Sequence, residues 1–576
     1  MLMDRVSENS LIKEKENSKT AFLIQAICIV AAVILAVAIF IKNWNFFHDD
    51  SYITLRYANN WISGYGIVWN EGEFVQGYTN FLYLLLVSTL GYFGLDLLFA
   101  ARLVSFTSYI ATAILLWYFA SVFQSQCCRD FRHLSITIFI TSAPVIIWTL
   151  GGLETVLFGF LNLAGSYIFL LSFEKSNSNI GFACSGVLFG LAFLTRPDGI
   201  VFIAVTSAFL SWSYLKCLYQ ERHFLADRSR DIRVRDSRQL ALNLIVFLAG
   251  CLFIMFPYVF WQISYYGDFV PNTFYAKSGV PFELKFNNGI RYLGRYLFNF
   301  PFFLVLTFIL LIYRYFQSVF DKRLNYLIIL ILAYLGFIVF VAGGDHMQSF
   351  RMLAPIVPLM SVCLTYLLSS LAENTIRRNV IISAIVIILS FVQILSPMLN
   401  PQEEDSASFY GTIVGKYISS EWNRNALIAL NTAGSTPYHA PAHRFIDMLG
   451  LNDPVIARKN ITDIILPWQF IPGHFKGDGD YVLSRKPDFI ILGPADGTNS
   501  SRVWFLSDYE IVQDQRFHLN YKLMKIFLDK DGKSHEKPDP PYKWLSGNNH
   551  EQKDDEAKFL FRYFQKRDKP INDLDF

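Results

Sequence analysis

A series of long apolar runs, separated by polar or charged loops, constrains the fold more than any other feature. About 20 apolar residues in a row cross the hydrocarbon core of a bilayer as an α-helix. The 576-residue chain is 53% hydrophobic and only 17% charged, which is typical of an integral membrane protein with a soluble part attached. The runs predicted to span are 21–41, 101–121, 133–150, 153–172, 180–195, 198–215, 239–264, 296–316, 324–342, 352–371 and 379–397.

Two segments near the N-terminus need separate interpretation. The run 21–41 is followed by Lys42, Asn43 and Trp44 instead of a small-residue cleavage site, so it is predicted to be a retained anchor and not a signal peptide. The run 80–93 holds only 14 residues and is predicted to be an interfacial helix or half-helix. The fold class expected is therefore a polytopic α-helical membrane protein with about eleven spans plus an interfacial helix.

The charge balance and the cysteines exclude several classes of protein. A net charge of +3 is too small to predict nucleic-acid binding. The seven cysteines lie in or beside apolar runs, and none follows Cys363. Neither a disulfide framework nor a CxxC metal site is expected, so any soluble C-terminal domain must fold without cross-links.

The sequence changes character after residue 397. Charge and proline content rise, and the short apolar runs 426–430 and 488–492 are bounded by turn residues, as buried strands are. About 180 residues are enough for an independent core. We therefore predict a cytoplasmic N-terminal segment at 1–20, a membrane module at 21–397 with an external loop at 42–100, and an extracytoplasmic α/β domain at 398–576.

The orientation follows from the basic loops. Lysine and arginine cluster in four of them, and cytoplasmic loops are the ones enriched in these residues. The clusters are Arg129 with Arg132, Lys216 to Arg238, Lys322 with Arg323, and Arg377 with Arg378. Eleven spans place all four inside when the N-terminus is cytoplasmic. The loops 42–100, 150–153, 195–198, 265–295 and 343–351, and everything after 397, then lie outside.

Five polar motifs fall on that predicted outer face. They are HDD at 48–50, GGLE at 151–154, TRPDG at 195–199, PNTFYAK at 271–277 and GGDHMQSFR at 343–351. Each taken alone has a structural explanation, such as a glycine turn, a helix cap or a lysine that snorkels to headgroups. Ionisable groups at the membrane boundary are costly and usually functional, so their shared placement predicts one common site.

The first of these motifs sets two carboxylates side by side, Asp49 and Asp50. Adjacent carboxylates repel, so the pair needs a cation, a shared proton or a hydroxyl partner. A solvated helix cap is the simpler alternative. The residues that follow favour a sugar-handling loop, although interfacial belt aromatics explain their rings equally well. They are Tyr52, Arg56, Tyr57, Asn59, Asn60, Trp61, Tyr65, Trp69 and Tyr78.

The motifs together resemble a known superfamily. HDDSYITLRYANN, GYGIVWNEGEFVQGYTNF, GGLET, LTRPDG, PNTFYAK, the GGDHM segment and DMLGLNDPVIA (447–457) resemble, in this order, the polytopic GT-C glycosyltransferases. They are most similar to the terminal β-(1→2)-arabinofuranosyltransferases of mycobacterial walls and their Gram-negative relatives. The resemblance implies a bacterial plasma-membrane enzyme, a polyprenyl-phosphate sugar donor, an envelope glycan or glycolipid acceptor, and an external site whose base is Asp49 or Asp50.

The chemistry of such a transfer suits the residue types present. An acceptor hydroxyl needs a carboxylate to take its proton as the bond from C1 to oxygen breaks, and direct displacement would invert the anomeric centre. One of Asp49 and Asp50 would act as this base. The other would orient the acceptor or hold a divalent cation, for which oxygen ligands suit Mg²⁺, Mn²⁺ or Ca²⁺.

A departing phosphate calls for cations placed in advance. The candidates are Arg196, Lys277, His346 and Arg351, and the fork of Arg351 suits bidentate contact. Glu154, Asp198 and Asp345 would pair with these cations or bind sugar hydroxyls. His48, Tyr52, Arg56 and Asn272 complete the set of predicted substrate-binding residues.

Two other classes remain open from sequence alone. A transporter or flippase also has many spans with charges, but it tends to show repeats and mid-membrane binding groups, and no repeat is visible here. A non-enzymatic envelope-assembly protein would use the C-terminal domain for recognition. A hydrolase is disfavoured because GxSxG and HExxH strings are absent.

Overall fold

The structure is a computed structural model of the whole chain. It describes residues 2–123, 131–175, 178–224, 237–316, 321–371, 376–396, 404–461, 466, 469, 471, 473–535 and 558–569. Arg129 and the basic stretch 225–236, on which the predicted orientation partly rests, lie outside the described residues.

All eleven predicted runs fall largely on helices. Of the described helices, seven segments are long and apolar enough to cross a membrane, and a bent pair raises the number to eight. The helices of this module are α1 (Leu2–Lys42), α2 (Asp49–Ile62), α3 (Phe81–Tyr92), α4 (Leu97–Phe119), α5 (Arg132–Ile140), α6 (Ala143–Leu150), α7 (Thr155–Glu174), α8 (Asn179–Thr195), α9 (Ile200–Phe224), α10 (Ser237–Tyr266), α11 (Asn272–Lys277), α12 (Phe282–Asn299), α13 (Pro301–Phe316), α14 (Lys322–Phe337), α15 (Val357–Leu371) and α16 (Ile376–Ile394).

The run 133–150 was predicted as a single span, and the structure divides it. Helices α5 and α6 meet at an angle of 53° between Ile140 and Ala143. Pro144, the second residue of α6, has no backbone N–H to donate and disfavours helical geometry in the residue before it. The break places the C-terminal end of α6 beside the start of α2, where the candidate site lies.

Helices of the membrane module approach each other closely where small residues face one another. A Cβ atom built on Gly186 of α8 would lie 2.1 Å from the carbonyl oxygen of Phe247, and one on Gly250 of α10 would lie 2.4 Å from that of Ala183. Glycines at these contacts let two helix backbones touch, which supplies packing where the hydrophobic effect between helices is weak. Helix α8 is thereby held firmly, and it ends at Thr195, next to Arg196.

The C-terminal part is an α/β domain around one mixed sheet. Strands run in the order β2-β1-β3-β6-β4-β5, with β1 parallel to β2 and β3 and the other pairings antiparallel. The two predicted strands are confirmed as β1 and β3. The elements are α17 (Ser406–Glu421), β1 (Leu427–Leu430), α18 (Ser435–His439), β2 (Arg444–Asp447), α19 (Pro454–Arg458), α20 (Gly479–Ser484), β3 (Phe489–Ile491), α21 (Leu506–Gln513), α22 (Gln515–Asn520), β4 (Tyr521–Leu528), β5 (Ser534–His535) and β6 (Phe559–Lys566).

The α/β domain sits directly on the membrane module. One apolar core runs from the membrane helices through Tyr52 and Tyr57 of α2 to Ile428 and Phe445 in the sheet. Helix α2 is therefore buried between the two parts of the molecule, and its N-terminal end carries the HDD motif. The predicted fold class, a polytopic helical membrane protein with a C-terminal α/β domain, is confirmed.

Candidate active site

The HDD motif forms the N-terminal end of α2 and is held by the GGLE turn. His48 is the N-cap residue, and its Nδ1 atom accepts a hydrogen bond from the backbone N–H of Asp50 at 3.2 Å. The carbonyl oxygen of Gly151 accepts two more hydrogen bonds, from the His48 N–H at 3.2 Å and from Ser51 Oγ at 2.6 Å. Two of the predicted motifs are thus joined, and both acidic residues are fixed at a helix N-terminus, which favours negative charge.

Asp50 is half-buried and lies near two cations, Lys277 and Arg351, which come from two other segments. Burial alone would raise the pKa of Asp50, but His48, His346, Lys277 and Arg351 outweigh it and hold the pKa below its ordinary value. Asp50 is consequently ionised at neutral pH and opens onto a recess lined by cations. We call the recess bordered by Asp50, Lys277, Asp345, His346 and Arg351 the cationic recess.

Lys277, at the C-terminal end of α11, borders the same recess. Its side chain is exposed, yet surrounding protein and Arg351 lower its pKa while Asp50 and Asp345 raise it. A side chain that is exposed to solvent but whose charge is partly desolvated, as in Lys277, is typical of the wall of a recess. Within the described residues, no carboxylate lies within ion-pair distance of its Nζ atom, so the charge is available to a ligand.

Asp345, His346 and Arg351 come from the GGDHMQSFR segment. Arg351 Nε lies 3.1 Å from Asp345 Oδ2, and His346 Nδ1 lies 3.6 Å from Asp345 Oδ1. Burial lowers the pKa of His346 and so favours the neutral ring, whereas Asp345, despite its burial, is held at a pKa of about 2 by Arg351, His346 and Lys277. Asp345 therefore orients a cation and a neutral imidazole toward the same space.

The backbone of this segment is strained next to Arg351. Ser349 and Phe350 both have positive φ values, 52° and 49°, in the left-handed region that residues with a Cβ rarely occupy. Such conformations cost about 1–3 kcal/mol each and persist only where the surroundings enforce them. Phe350 packs against Tyr292 and Tyr296 of α12, which supplies that enforcement.

Trp148 contacts both His48 and Arg351, and it was not predicted as a site residue. Its ring lies 5.5 Å from the His48 ring, and the Arg351 guanidinium lies 5.8 Å from its centroid. Its Nε1 atom donates a hydrogen bond to the carbonyl oxygen of Gln348 at 3.0 Å. Within an apolar run this tryptophan has no sequence signature that separates it from a core residue.

A second polar layer lies beneath the recess and collects Glu154, Arg196 and Asp198. Arg196 lies 2.9 Å from Glu154 and 3.0 Å from Asp198, and all three side chains are nearly buried. Asn80 donates to Glu154 at 2.9 Å, and Tyr334 donates to Asp198 at 2.8 Å, although neither was predicted. The charge of Arg196 is balanced by two acids within this cluster, and Arg196 also lies close enough to lower the pKa of Lys277.

Asp49 points away from the cationic recess, into the α/β domain. Its carboxylate accepts hydrogen bonds from the Ser435 N–H at 2.7 Å, from Ser435 Oγ at 2.6 Å and from the Gly434 N–H at 3.2 Å. A Cβ on Gly434 would lie 2.0 Å from the Asp49 carbonyl oxygen, so only glycine permits this approach. The backbone N–H of Asp49 donates to Asp405 at 2.7 Å.

The charge of Asp49 is correspondingly different from that of Asp50. Burial raises the pKa of Asp49, and the nearby Asp405 carboxylate raises it further, to about 7, against the opposing effect of the Ser435 hydrogen bonds. Two neighbouring residues therefore differ in protonation near neutral pH. Asp50 is the anion that faces the recess.

Three further predicted residues lie at the domain interface and outside the recess. Tyr52 packs against Tyr438 and His439, with ring centroids 5.3 and 5.4 Å away. Arg56 is buried and donates to the carbonyl oxygens of Trp69, Pro437 and His443. Asn272 donates to the carbonyl oxygens of Gly450 and Leu451 at 2.9 and 3.0 Å, within the DMLGLND motif.

Two aromatic residues after α2, Trp69 and Tyr65, differ in their exposure. Trp69 is only 2% exposed and packs against Phe445, so its ring is not available to stack on a sugar. Tyr65, by contrast, is 52% exposed.

The two adjacent carboxylates do not form a shared set of metal ligands. Asp49 is saturated by Ser435 and Gly434, while Asp50 faces cations. In the part of the chain that the structure describes, no group of three or more His, Cys, Asp or Glu side chains is placed to hold a metal ion. The divalent cation stays a prediction, and no chemical step below uses it.

Comparisons with known proteins give a fold and a domain of unknown role. Residues 402–540 match a family model described as a domain of unknown function, DUF8728. No curated protein matches the chain in sequence. The chain is similar in structure to the Archaeoglobus fulgidus oligosaccharyltransferase AglB in complex with an inhibitory peptide and a dolichol-phosphate, with a TM-score of 0.51 and 11% identity over 89% of this chain and 74% of that one.

Two other solved structures are also similar to this chain. The apo form of the Archaeoglobus fulgidus oligosaccharyltransferase has a TM-score of 0.50 at 10% identity over 90% of this chain and 74% of that one. ArnT from Cupriavidus metallidurans in the apo state has a TM-score of 0.47 at 14% identity over 73% and 84% of the two chains. The match to the archaeal oligosaccharyltransferase shows that the two chains share a fold, and identities this low show the fold alone.

Proposed function

We propose that this protein is a membrane glycosyltransferase that transfers a sugar from a polyprenyl-phosphate donor to a cell-envelope glycan or glycolipid, with Asp50 as the general base. One observation carries the proposal: an ionised carboxylate and three groups suited to phosphate, Lys277, His346 and Arg351, meet in one recess although they come from three distant segments. Fold similarity to a protein solved with dolichol-phosphate supports the lipid-linked donor.

The recess supplies the two requirements of the reaction, a base and cations for the leaving group. Asp50 takes the proton of an acceptor hydroxyl as that oxygen forms its bond to C1 of the sugar. The bond between C1 and the donor phosphate oxygen breaks, and its electron pair leaves with polyprenyl phosphate. Lys277 and Arg351 stabilise the negative charge that grows on the phosphate, and neutral His346 can donate a hydrogen bond to it.

This direction of attack gives inversion at the anomeric carbon. In a direct displacement the acceptor approaches C1 from the side opposite to the leaving group. Asp345 keeps Arg351 in place through its ion pair at 3.1 Å, and the Glu154–Arg196–Asp198 layer supports the recess floor. Donation by a pentosyl lipid, arabinofuranosyl above all, is the finer form of the proposal, with a hexosyl lipid as the alternative.

The location of the recess suits a substrate that stays in the bilayer. Its residues follow the ends of α1, α10 and α14, which is where a membrane helix meets the headgroup region. We propose the bacterial plasma membrane with the N-terminus cytoplasmic, and with the recess and the α/β domain on the extracytoplasmic face, as the basic loops indicate.

A transfer assay with purified full-length protein tests the proposal. Polyprenyl-phosphate pentoses and hexoses are supplied one at a time with an extract of envelope glycans as acceptor, and released polyprenyl phosphate is quantified by mass spectrometry. We expect release with one donor class, dependent on acceptor and lower by about 10²–10⁴-fold in Asp50→Asn. Release at the wild-type rate in Asp50→Asn, or the absence of release with every donor, contradicts the proposal.

A further inference from the structure

The cationic recess has a wall that the membrane module does not supply. Gly473 and His474, from the α/β domain, lie against Lys277 and His346: the position of a Gly473 Cβ is 3.7 Å from Lys277 Cε. The His474 ring meets the His346 ring edge to face, with centroids 5.0 Å apart. The sequence placed no candidate residue in this loop, because it lies more than a hundred positions beyond the polar motifs of the membrane module.

This loop is fastened to the segment that carries Lys277. Lys476 is buried and donates from Nζ to the carbonyl oxygen of Tyr275 at 2.7 Å and to that of Ala457 at 2.5 Å. A buried ammonium bonded to carbonyl oxygens of both parts of the molecule fixes their relative position. The hydrogen bonds of Lys476, two residues further along the loop, thus hold His474 beside Lys277.

The other face of His474 is also packed. Its ring stacks on Phe505 at 5.5 Å with an angle of 16° between the rings, so its orientation is set from inside the α/β domain. On the side of the recess that holds Lys277, the His474 ring lies 5.0 Å from the His346 ring, and the adjacent Gly473 lies beside Lys277. That side receives the leaving phosphate in the proposed reaction, and Asp50 lies on the acceptor side.

We infer that His474 is a phosphate-binding residue supplied by the α/β domain, so that the donor subsite is complete only when this domain is docked. The inference rests on the proposed function and adds a residue, and a role for the domain, to the same recess. Its ligand is the phosphate end of a polyprenyl phosphate, bound by His474 together with His346, Lys277 and Arg351.

Binding of undecaprenyl phosphate to the purified full-length protein tests this without knowledge of the sugar. Native mass spectrometry of the protein titrated with the lipid gives the dissociation constant. His474→Phe keeps a ring for packing against Phe505 and His346 but removes the hydrogen-bond donor. We expect it to weaken binding by about tenfold to a hundredfold, the usual effect of losing a hydrogen bond to a charged group. His474→Gln, which keeps an N–H donor, should bind more tightly than His474→Phe.

His518 offers a matched control in the same domain, because it is exposed on α22 and bonds the carbonyl oxygen of Val512 away from the recess. His518→Ala should bind the lipid as the unmodified protein does. Unchanged binding in His474→Phe would overturn the inference while leaving the proposed function intact. Inorganic phosphate that displaced the lipid at equal concentration would also overturn it, since the subsite would then serve a soluble phosphate. A wild-type protein that binds no polyprenyl phosphate would instead refute the proposed function.

Discussion

The recess beside Asp50 and the domain interface beside Asp49 start from adjacent residues and use opposite chemistry. Around Asp50 the partners are cations, the side chain is half-buried, and the carboxylate is ionised. Around Asp49 the partners are a hydroxyl, two backbone N–H groups and another carboxylate, and burial raises the pKa to about 7. One carboxylate is ionised beside cations, and the other bonds the α/β domain.

Helix geometry explains how neighbours come to serve two regions. Successive side chains on an α-helix point about 100° apart, so the first two residues of α2 face different walls. The membrane module covers one of these walls and the α/β domain covers the other. A tandem Asp pair at a helix start therefore couples the docking of a domain to the position of the proposed base, Asp50.

The largest expected effect separates the two acids by activity. Asp50→Asn removes the proposed base but keeps the size of the side chain, so transfer should fall by about 10²–10⁴-fold, the usual contribution of a positioned base. Thermal unfolding should change little, because Asp50 makes no hydrogen bond into the α/β domain among the described residues. An Asp50→Asn protein that transfers sugar at the wild-type rate would remove Asp50 from the mechanism.

The second prediction concerns Asp49 and is one of stability. Asp49→Ala leaves the N–H groups of Gly434 and Ser435 buried without their acceptor, which costs about 1–3 kcal/mol. We expect a lower midpoint of thermal unfolding and faster proteolysis of the α/β domain, with a smaller loss of activity than in Asp50→Asn. If Asp49→Ala is as stable as wild type and equally inactive as Asp50→Asn, the distinction drawn between the two acids is wrong.

The sequence predicted the membrane helices and the meeting of the polar motifs, but not the separate roles of Asp49 and Asp50. Apolar length located the helices, and the five polar motifs were expected to meet because they fall on one face by parity. The structure does bring Asp50, Lys277 and Arg351 together, with Glu154 and Arg196 beneath. Helix length and the placement of polar motifs depend on local composition, which can be read from a single sequence.

The roles of Asp49 and Asp50 could not be separated in this way. The partner of Asp49, Ser435, lies 386 residues further along the chain, and no local pattern connects them. Arg56 and Asn272 were expected to bind substrate because they are polar. Both instead donate hydrogen bonds to carbonyl oxygens of the α/β domain. Trp148 and His474 were missed because a tryptophan in an apolar run and a histidine in a soluble loop are unremarkable until the domains are assembled.

The third prediction uses pH to distinguish the two candidate bases. If Asp50 is the base, its lowered pKa keeps it ionised, and kcat/KM should stay within about twofold between pH 6 and 8. If Asp49 were the base, its pKa of about 7 would make kcat/KM fall about tenfold for each pH unit below 7. His346 adds no limb near pH 7, since burial lowers its pKa.

The raised pKa of Asp49 also makes the stability of the folded state depend on pH. Because the pKa of Asp49 is raised above its unfolded value, the folded state binds more protons than the unfolded state between about pH 4 and pH 7. Stability of the interface should therefore decrease as pH rises through this window. Asp405→Asn removes the like charge, lowers the pKa of Asp49 and should flatten the dependence in thermal unfolding measured from pH 4.5 to 7.5.

The smallest expected effect lies at the rim of the same interface. Arg444 in β2 lies 2.7 Å from Glu73 in the external loop, but the two side chains are 50% and 33% exposed. An exposed ion pair contributes about 0–1 kcal/mol and is screened by salt, because water already solvates both charges. Arg444→Ala should shift the thermal midpoint by a few degrees at most, and less in 0.5 M NaCl. A loss as large as that of Asp49→Ala would mean that the rim, and not the buried Asp49–Ser435 contact, holds the α/β domain on the membrane module.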